Sequence, residues 1–402
     1  MNRKEFIKLS ALFGIGGPLL ANSLISCSTE NDIFPSIDKN FNGKVAILGA
    51  GAAGMAASYL LKREGIDFDL IEANSNYGGR VKRTNNLADF PIDLGAEWIH
   101  TSPNVLANII NDSSVSSSIE TIVYNPQDIQ VWNNDSTKRH RYGSNFYSEH
   151  KFKSTSWFGF FEQFIVPSIK DNLHLNSPIS RIEYDGNGVT LTSNSSKIFT
   201  ADRLIITAPI KVLQDQIIEF FPALPSDYKN AIDSIYVGDG FKAFIEFDEQ
   251  FYPDIMMTGG LIESFASSDK MFYNAAFRKD TTKHVMGLFS VNNPASKYAQ
   301  QPTNEESFNV IMQELDQIFD GKASQHYQNH VIQNWSKEPY IRGAYSYTFN
   351  NDRSETQNTL NTPINDKLYF AGEALSDWNQ STVHGACESG MAAAAKVLSS
   401  NP

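Results

Sequence analysis

The chain is 402 residues long, 41% hydrophobic and 12% aromatic, enough apolar side chain to bury a substantial core spread over two joined domains. Its 45 Asp and Glu outnumber 33 Lys and Arg, leaving a net charge of -12 that argues against a nucleic-acid backbone as partner and is compatible with a cationic substrate.

The first predicted element is an export signal over residues 1–26. Arg3, Lys4 and Lys8 form a basic start and Leu9 to Leu20 an apolar centre, which is short and broken by Gly14, Gly16, Gly17 and Pro18 and so does not read as a permanent transmembrane helix. Leu24-Ile25-Ser26-Cys27 is a candidate lipoprotein cleavage box, with Cys27 as the lipid-anchor site; a cleaved secretory signal with Cys27 incidental is the alternative. Asn2 to Lys8 resembles a twin-arginine signal with Lys4 in place of the second Arg. The expected location is therefore exported, periplasmic or membrane-anchored. With Cys27 acylated, Cys387 has no partner and no disulfide is expected. Residues 27–42, rich in Ser, Asn and Asp, read as a tether.

The apolar run Val45 to Leu48 leads into Gly49-Ala50-Gly51-Ala52-Ala53-Gly54 and then a helical stretch, Met55 to Leu61. In such a turn the first Gly bends strand into helix, the second lets the backbone approach a pyrophosphate and the third lets helix and strand pack closely. The pyrophosphate would sit at the positive helix N-terminus. Gly49, Gly51, Ala53 and Gly54 are thus candidate cofactor-binding residues. Gly65 marks the expected end of the helix, and a second apolar run, Phe68 to Ile71, ends in Glu72, spaced to meet a ribose hydroxyl.

Next come Gly78-Gly79-Arg80 and Asp93-Leu94-Gly95-Ala96-x-Trp98-Ile99-His100. In this order and spacing the chain resembles the flavin-containing amine oxidase family, which includes monoamine, polyamine and L-amino-acid oxidases and lysine-specific histone demethylases. The resemblance runs from residue 43 to about residue 400. It implies an α/β fold: an FAD-binding Rossmann-like domain of the two-dinucleotide-binding type, with an interleaved α+β substrate domain. The FAD domain is expected over 43–101, 172–212 and 362–402, and the substrate domain over 102–171 and 213–361. The resemblance also implies that Gly79 and Arg80 lie near the pyrophosphate and flavin and that His100 lines the pocket. Asn74 departs from the Arg that members often carry there.

Ser102-Pro103 predicts a helix start, and the serine-rich residues 113–118 a loop. Trp157 to Ile165 reads as a buried helix face, in a region that looks short beside its relatives. Strand patterns follow from Ile179 to Thr192 around a Gly186-Asn187-Gly188 turn, then at Leu204 to Thr207, and the resemblance places the Ile179 backbone against adenine. In Phe241 to Phe247, alternation puts Phe241, Ala243, Ile245 and Phe247 on one face and Lys242, Phe244 and Glu246 on the other. By pattern alone Lys242 is a solvated strand residue; by resemblance it faces flavin N5 through a water. His326 and His330 would share a helix face, but no Glu follows His326, so a surface pair is expected and no metal site.

Trp335 resembles the family tryptophan beside the flavin, and Tyr345 one wall of the aromatic cage that holds the amine. Ala344 occupies the place of the flavin-linking cysteine of monoamine oxidases, so noncovalent FAD is implied. Gly372 and Glu373 end a buried strand in a ligand loop, and Thr382 and Val383 open a helix aimed at the flavin pyrimidine edge. Thr382 stands where many amine oxidases have an aromatic residue, and Trp378 is a candidate for the missing wall. Arg278, Arg342 and Arg353 are candidate clamps for an amino-acid carboxylate. The activity implied is FAD-dependent oxidation of a C–N bond of a primary or secondary amine, or an amino acid, by hydride transfer to flavin N5. The expected substrates are a small amine and O2, the products an imine or aldehyde and hydrogen peroxide, and Lys242, Tyr345, His100 and Thr382 are the catalytic candidates. The alternatives are a flavin-dependent desaturase or oxidase of a non-amine substrate and a noncatalytic FAD-binding lipoprotein.

Overall fold

A computed structural model of the chain describes residues 34, 35, 37–132, 139–142, 148–258, 269–348, 353–376 and 379–401. The export signal, Cys27 and Trp378 lie outside these residues.

The runs Val45–Leu48, Phe68–Ile71, Arg203–Ile206 and Leu368–Phe370 are short, apolar and buried at nearly every position, as strands covered on both faces must be. Together with Leu173–His174 they form a five-stranded parallel sheet among the described residues, in the order Leu173–His174, Phe68–Ile71, Val45–Leu48, Arg203–Ile206, Leu368–Phe370. Helices Ala52–Arg63 and Val383–Ser399 pack together on one side of it. They approach closely: a Cβ on Gly390 would lie 2.1 Å from the Ala53 carbonyl oxygen. The other side carries the antiparallel strands Ile179–Asp185, Gly188–Ser193 and Ile198–Ala201, joined by Glu219–Phe221, which runs parallel to the first of them.

Among the described residues a seven-stranded sheet is the largest of the others. Gly240–Phe247, second from one end of it, is flanked by His284–Val291 and the end strand Tyr327–Asn334, both antiparallel to it. Alternation along Gly240–Phe247 sends Phe241, Ala243, Ile245 and Phe247 into a core with helices Asn292–Ala299 and Asn304–Phe319, and Phe244 to the opposite face with Trp98, Tyr124 and Tyr273. Lys242 shares that opposite face, level with Phe289 and Gln333.

The structure differs from the sequence reading in five places. The tether stops short of residue 42, because Phe41 is buried and the Asn40 and Phe41 N–H groups donate to the Leu398 carbonyl at 2.8 and 3.0 Å. The helix expected at Ser102-Pro103 begins at Val105, those two residues forming the preceding turn. Part of the serine-rich loop, Val115–Ser118, is a helical turn anchored by buried Val115. His326 ends a helix and pairs with Asp248, whereas His330 lies on the following strand and stacks on Phe308, so the two share no face. The domain boundaries also move. Helices Val105–Ile110 and Trp157–Phe164 share the core of Ala52–Arg63, and residues 213–235 with Leu360 share the core between the parallel sheet and the four-stranded layer to which Glu219–Phe221 pairs.

Candidate active site

The glycine turn is built as an open cradle. Gly49 has φ +103°, a conformation that favours glycine, and a Cβ on Gly54 would stand 1.8 Å from the Gly49 carbonyl, so these two serve the bend and the packing. Gly51 differs: a Cβ there meets nothing within 4 Å, and the helix it opens has no side-chain cap. Its first N–H groups therefore point toward open space, as an anion site requires. Ala53 is buried against Gly390 and contributes packing through its side chain.

Glu72 is buried at the end of its strand, accepting the Ala50 and Asn74 N–H groups at 2.8 Å each. Burial pushes its carboxyl up in spite of these donors. A carboxylate offers about four acceptor positions, so two backbone donors leave room for a ribose hydroxyl. Gly78 donates to the Ala50 carbonyl at 2.8 Å, laying Gly79 (φ +57°) against the cradle. Ile179 is buried where its strand begins. A pocket lined by Arg80, Thr207, Gly372 and Glu373 among others opens at the carboxyl ends of Arg203–Ile206 and Leu368–Phe370, where parallel sheets bind ligands. Gly372 faces open space as Gly51 does. This cradle, carboxylate and cavity fit a dinucleotide.

Glu373, expected to bind cofactor, is instead saturated by protein. Oε1 accepts Arg80 at 3.0 Å and the Ser346 N–H at 3.2 Å; Oε2 accepts the Ser346 hydroxyl at 2.6 Å and the Ser381 N–H at 3.2 Å. It fixes the neighbours of Tyr345 and Thr382 relative to Arg80. Thr382 caps Val383–Ser399, accepting the Gly385 N–H at 3.0 Å and donating to the Asn379 carbonyl at 2.7 Å. The N–H groups ahead of Gly385, including that of buried Val383, have no partner within the helix and form its positive end.

Lys242 is enclosed and held by protein acceptors. It is 3% exposed, and its ammonium donates to the Asp93 carbonyl at 2.8 Å, the Gly95 carbonyl at 3.1 Å and Glu97 Oε2 at 2.8 Å. An ammonium has three N–H donors, and all three are taken by protein acceptors in this structure. Glu97 also meets Lys151 at 2.5 Å and accepts the Tyr273 hydroxyl. Burial works to raise its carboxyl, but Lys151 and Lys242 outweigh this and hold it down at about 2. Burial, with the Glu97 charge, pushes Asp93 up to about 8, and its Oδ1 has no hydrogen-bond partner among the described residues. Burial lowers Lys242 against the pull of Glu97.

On the substrate side, half-buried Tyr345 lies 6.4 Å from the Phe289 ring, in near-parallel planes. Phe289 is level with Lys242, and Trp335 donates to the Leu94 carbonyl at 3.1 Å. His100 Nδ1 is 3.2 Å from Glu149, and burial, with repulsion from His100, lowers His384 to about 4. The candidate carboxylate clamps are engaged elsewhere: Arg278 with the Val123 carbonyl, Arg342 with Asp215 at 2.5 Å, Arg353 with the Ser376 carbonyl. Glu97, Lys151, Phe289 and His384 were missed from the sequence. Glu97 occupies the unspecified position of its motif, and an acidic residue flanked by Ala96 and Trp98 in an otherwise apolar run was the available signal.

A family model described as flavin containing amine oxidoreductase matches residues 161–398, and one for an NAD(P)-binding Rossmann-like domain matches 47–112. Polyamine oxidase 4 of Oryza sativa subsp. japonica is 24% identical over 459 residues, covering 92% of each chain. Polyamine oxidase 1 of Zea mays is 28% identical over 226 residues, 56% of this chain and 44% of the relative. Among solved structures, cyclohexylamine oxidase from Brevibacterium oxydans IH-35A shares the fold, with a TM-score of 0.73 at 16% identity over 89% of this chain and 99% of that one.

Proposed function

This chain belongs to the flavin-containing amine oxidoreductase family, with FAD as cofactor, and from that premise we propose that it oxidises a C–N bond of a primary or secondary amine. When bound, FAD would supply the two-electron acceptor for oxidation of the carbon beside nitrogen, with O2 as terminal oxidant and hydrogen peroxide as its product. The protein's part is binding, orientation and electrostatics. Gly51, the first turn of Ala52–Arg63, Glu72 and Arg80 would hold the nucleotide, noncovalently, since Ala344 offers no thiol. Tyr345 and Phe289 offer an apolar wall that orients an uncharged amine and excludes water, and the imine formed hydrolyses on release.

The observation that carries this reading is the placement of the Tyr345–Phe289 pair on the Lys242 face of the sheet, beside the segment that meets Arg80 and Trp335. Engagement of all three candidate arginines elsewhere favours amines over amino acids. The names of the relatives, amine and polyamine oxidases, support the same class. The test is anaerobic bleaching of the purified flavoprotein by monoamines, polyamines and L-amino acids. Bleaching by amines with peroxide on aeration is expected; bound flavin that no amine reduces would overturn the reading in favour of a non-amine oxidase or a noncatalytic binder. The reading includes export and a Cys27 lipid anchor, so Cys27→Ser should move the protein from the membrane to the soluble fraction.

A further inference from the structure

Glu97, Lys151 and Lys242 are 6%, 1% and 3% exposed, and three charges so enclosed persist only when mutually paired. Each Glu97 oxygen meets one lysine, Oε1 with Lys151 and Oε2 with Lys242, and the Tyr273 hydroxyl adds to the second. The groups facing the trio are the Asp93 carboxyl, the Lys279 ammonium, which donates to the Phe152 and Lys153 carbonyls, and the rings of Trp98, Tyr124 and Phe244. The segment holding Glu97 also reaches the cofactor end. A Cβ on Gly95 would stand 1.7 Å from the Arg80 carbonyl and 3.1 Å from the Trp335 ring.

We propose that Glu97 is a positioning residue acting through Lys242: it locks the ammonium against the Asp93 and Gly95 carbonyls and, shared with Lys151, leaves the trio one net positive charge fixed beside Arg80 and Trp335. A preorganised charge of this kind favours negative charge gained by a neighbouring ligand without reorganisation. What the charge acts on rests on the flavin reading given above; the lock itself does not.

Removing the carboxylate leaves two ammoniums side by side with only the buried Asp93 carboxyl to answer them, and the excess charge is relieved by one proton lost within the neutral range, from a desolvated lysine or from Asp93 once the Glu97 repulsion is gone. The readout is the visible spectrum of the oxidised holoenzyme, without amine, titrated between about pH 5.5 and 7.5. In wild type that window lies below the transitions of Asp93 and Lys279 at about 8. Wild type should be flat there, Glu97→Gln should show one new single-proton step, and Glu97→Gln with Lys151→Met, which restores a single cation, should be flat again. A flat single variant, or a step that persists in the double variant, overturns the proposal. A general loss of packing would not be cured by a second core substitution. If Glu97→Gln does not accumulate, Lys151→Met alone decides. It cancels the net charge with Glu97 still on Lys242 and should lower the flavin midpoint potential at fixed pH, and an unchanged potential overturns the proposal. Because no amine is present, failure of the amine panel leaves this result standing, and the reverse also holds.

Discussion

Glu97 and Glu314 are both buried, and each holds two lysine ammoniums and a tyrosine hydroxyl: Lys151, Lys242 and Tyr273 in one group, Lys270, Lys297 and Tyr298 in the other. They sit on opposite faces of the seven-stranded sheet. Glu314 belongs to helix Asn304–Phe319 and ties helix Asn292–Ala299 to strand Lys270–Asn274, with the Lys297 side chain 53% exposed. Water relieves part of its charge. The Glu97 group lies on the face turned toward the nucleotide half and has no comparable opening, since the Lys242 and Lys151 side chains are 4% and 1% exposed. The same set of four side chains, one Glu, two Lys and one Tyr, thus makes a helix clamp in one place and a fixed charge beside a reaction site in the other. The difference is set by enclosure and by what lies next to the second lysine.

The largest effect that separates the two is on stability. Breaking an enclosed ion pair by removing one partner costs about 3–5 kcal/mol, because the charges left behind stay buried. Glu97→Gln should lose that much in urea unfolding. Glu314→Gln should lose about 1–3 kcal/mol, since Lys297 can turn to water. Equal losses would remove the distinction between the groups.

Acid unfolding gives a second separation, through a buried group that has no counter-ion of its own. Glu97 has its folded pKa held down at about 2, so its stabilisation is present above the unfolded value near 4.5 and is lost only as pH falls toward 2. His384 is lowered to about 4 from 6.5, so the folded state keeps it neutral while the unfolded chain takes up a proton. Stability should therefore fall as pH drops from 6.5 to 4, by on the order of 3 kcal/mol, and level off below. His384→Asn should flatten this interval in pH-dependent unfolding while leaving the lower-pH loss in place.

Lysine substitutions test function directly. Lys242→Met should slow anaerobic flavin reduction by amines about a hundredfold, the usual scale for removing one preorganised charge contact. Lys270→Met, its counterpart on Glu314, should lower stability and leave that rate unchanged. Stopped-flow traces in which the two variants behave alike would place Lys242 with the clamp.

The parts of the site legible in the sequence are those in which residue type dictates backbone or stacking. Gly49 and Gly54 are glycines because a turn and a close contact require them, and Trp335, Tyr345 and Thr382 sit in motifs whose order carries the resemblance. The Glu97 lock was not legible, because Tyr273 is 176 positions away and the remaining Lys242 acceptors are main-chain carbonyls, which every residue has. The domain boundaries failed for a related reason. Glu219–Phe221 looks like the start of new material until its parallel pairing with Arg181–Glu183 draws it back to the four-stranded layer packed on the first sheet.

The contrast between a group that holds structure and its twin that faces a ligand recurs, at smaller scale, in the glycine turn. A Cβ on Gly54 would collide with the Gly49 carbonyl, so that glycine serves packing, whereas Gly51 has φ -78° and empty space before it. Gly51→Ala should therefore leave the stability of the apoprotein within about 0.5 kcal/mol of wild type, as an unstrained surface substitution would. The added methyl occupies the approach to the uncapped helix N-terminus, where the pyrophosphate must come against the main chain. FAD affinity should fall by roughly tenfold, about 1.4 kcal/mol, in titrations of apoprotein followed by flavin fluorescence. Unchanged affinity would mean that the cradle admits the cofactor from another side, and a large loss of apoprotein stability would assign Gly51 to packing with Gly54.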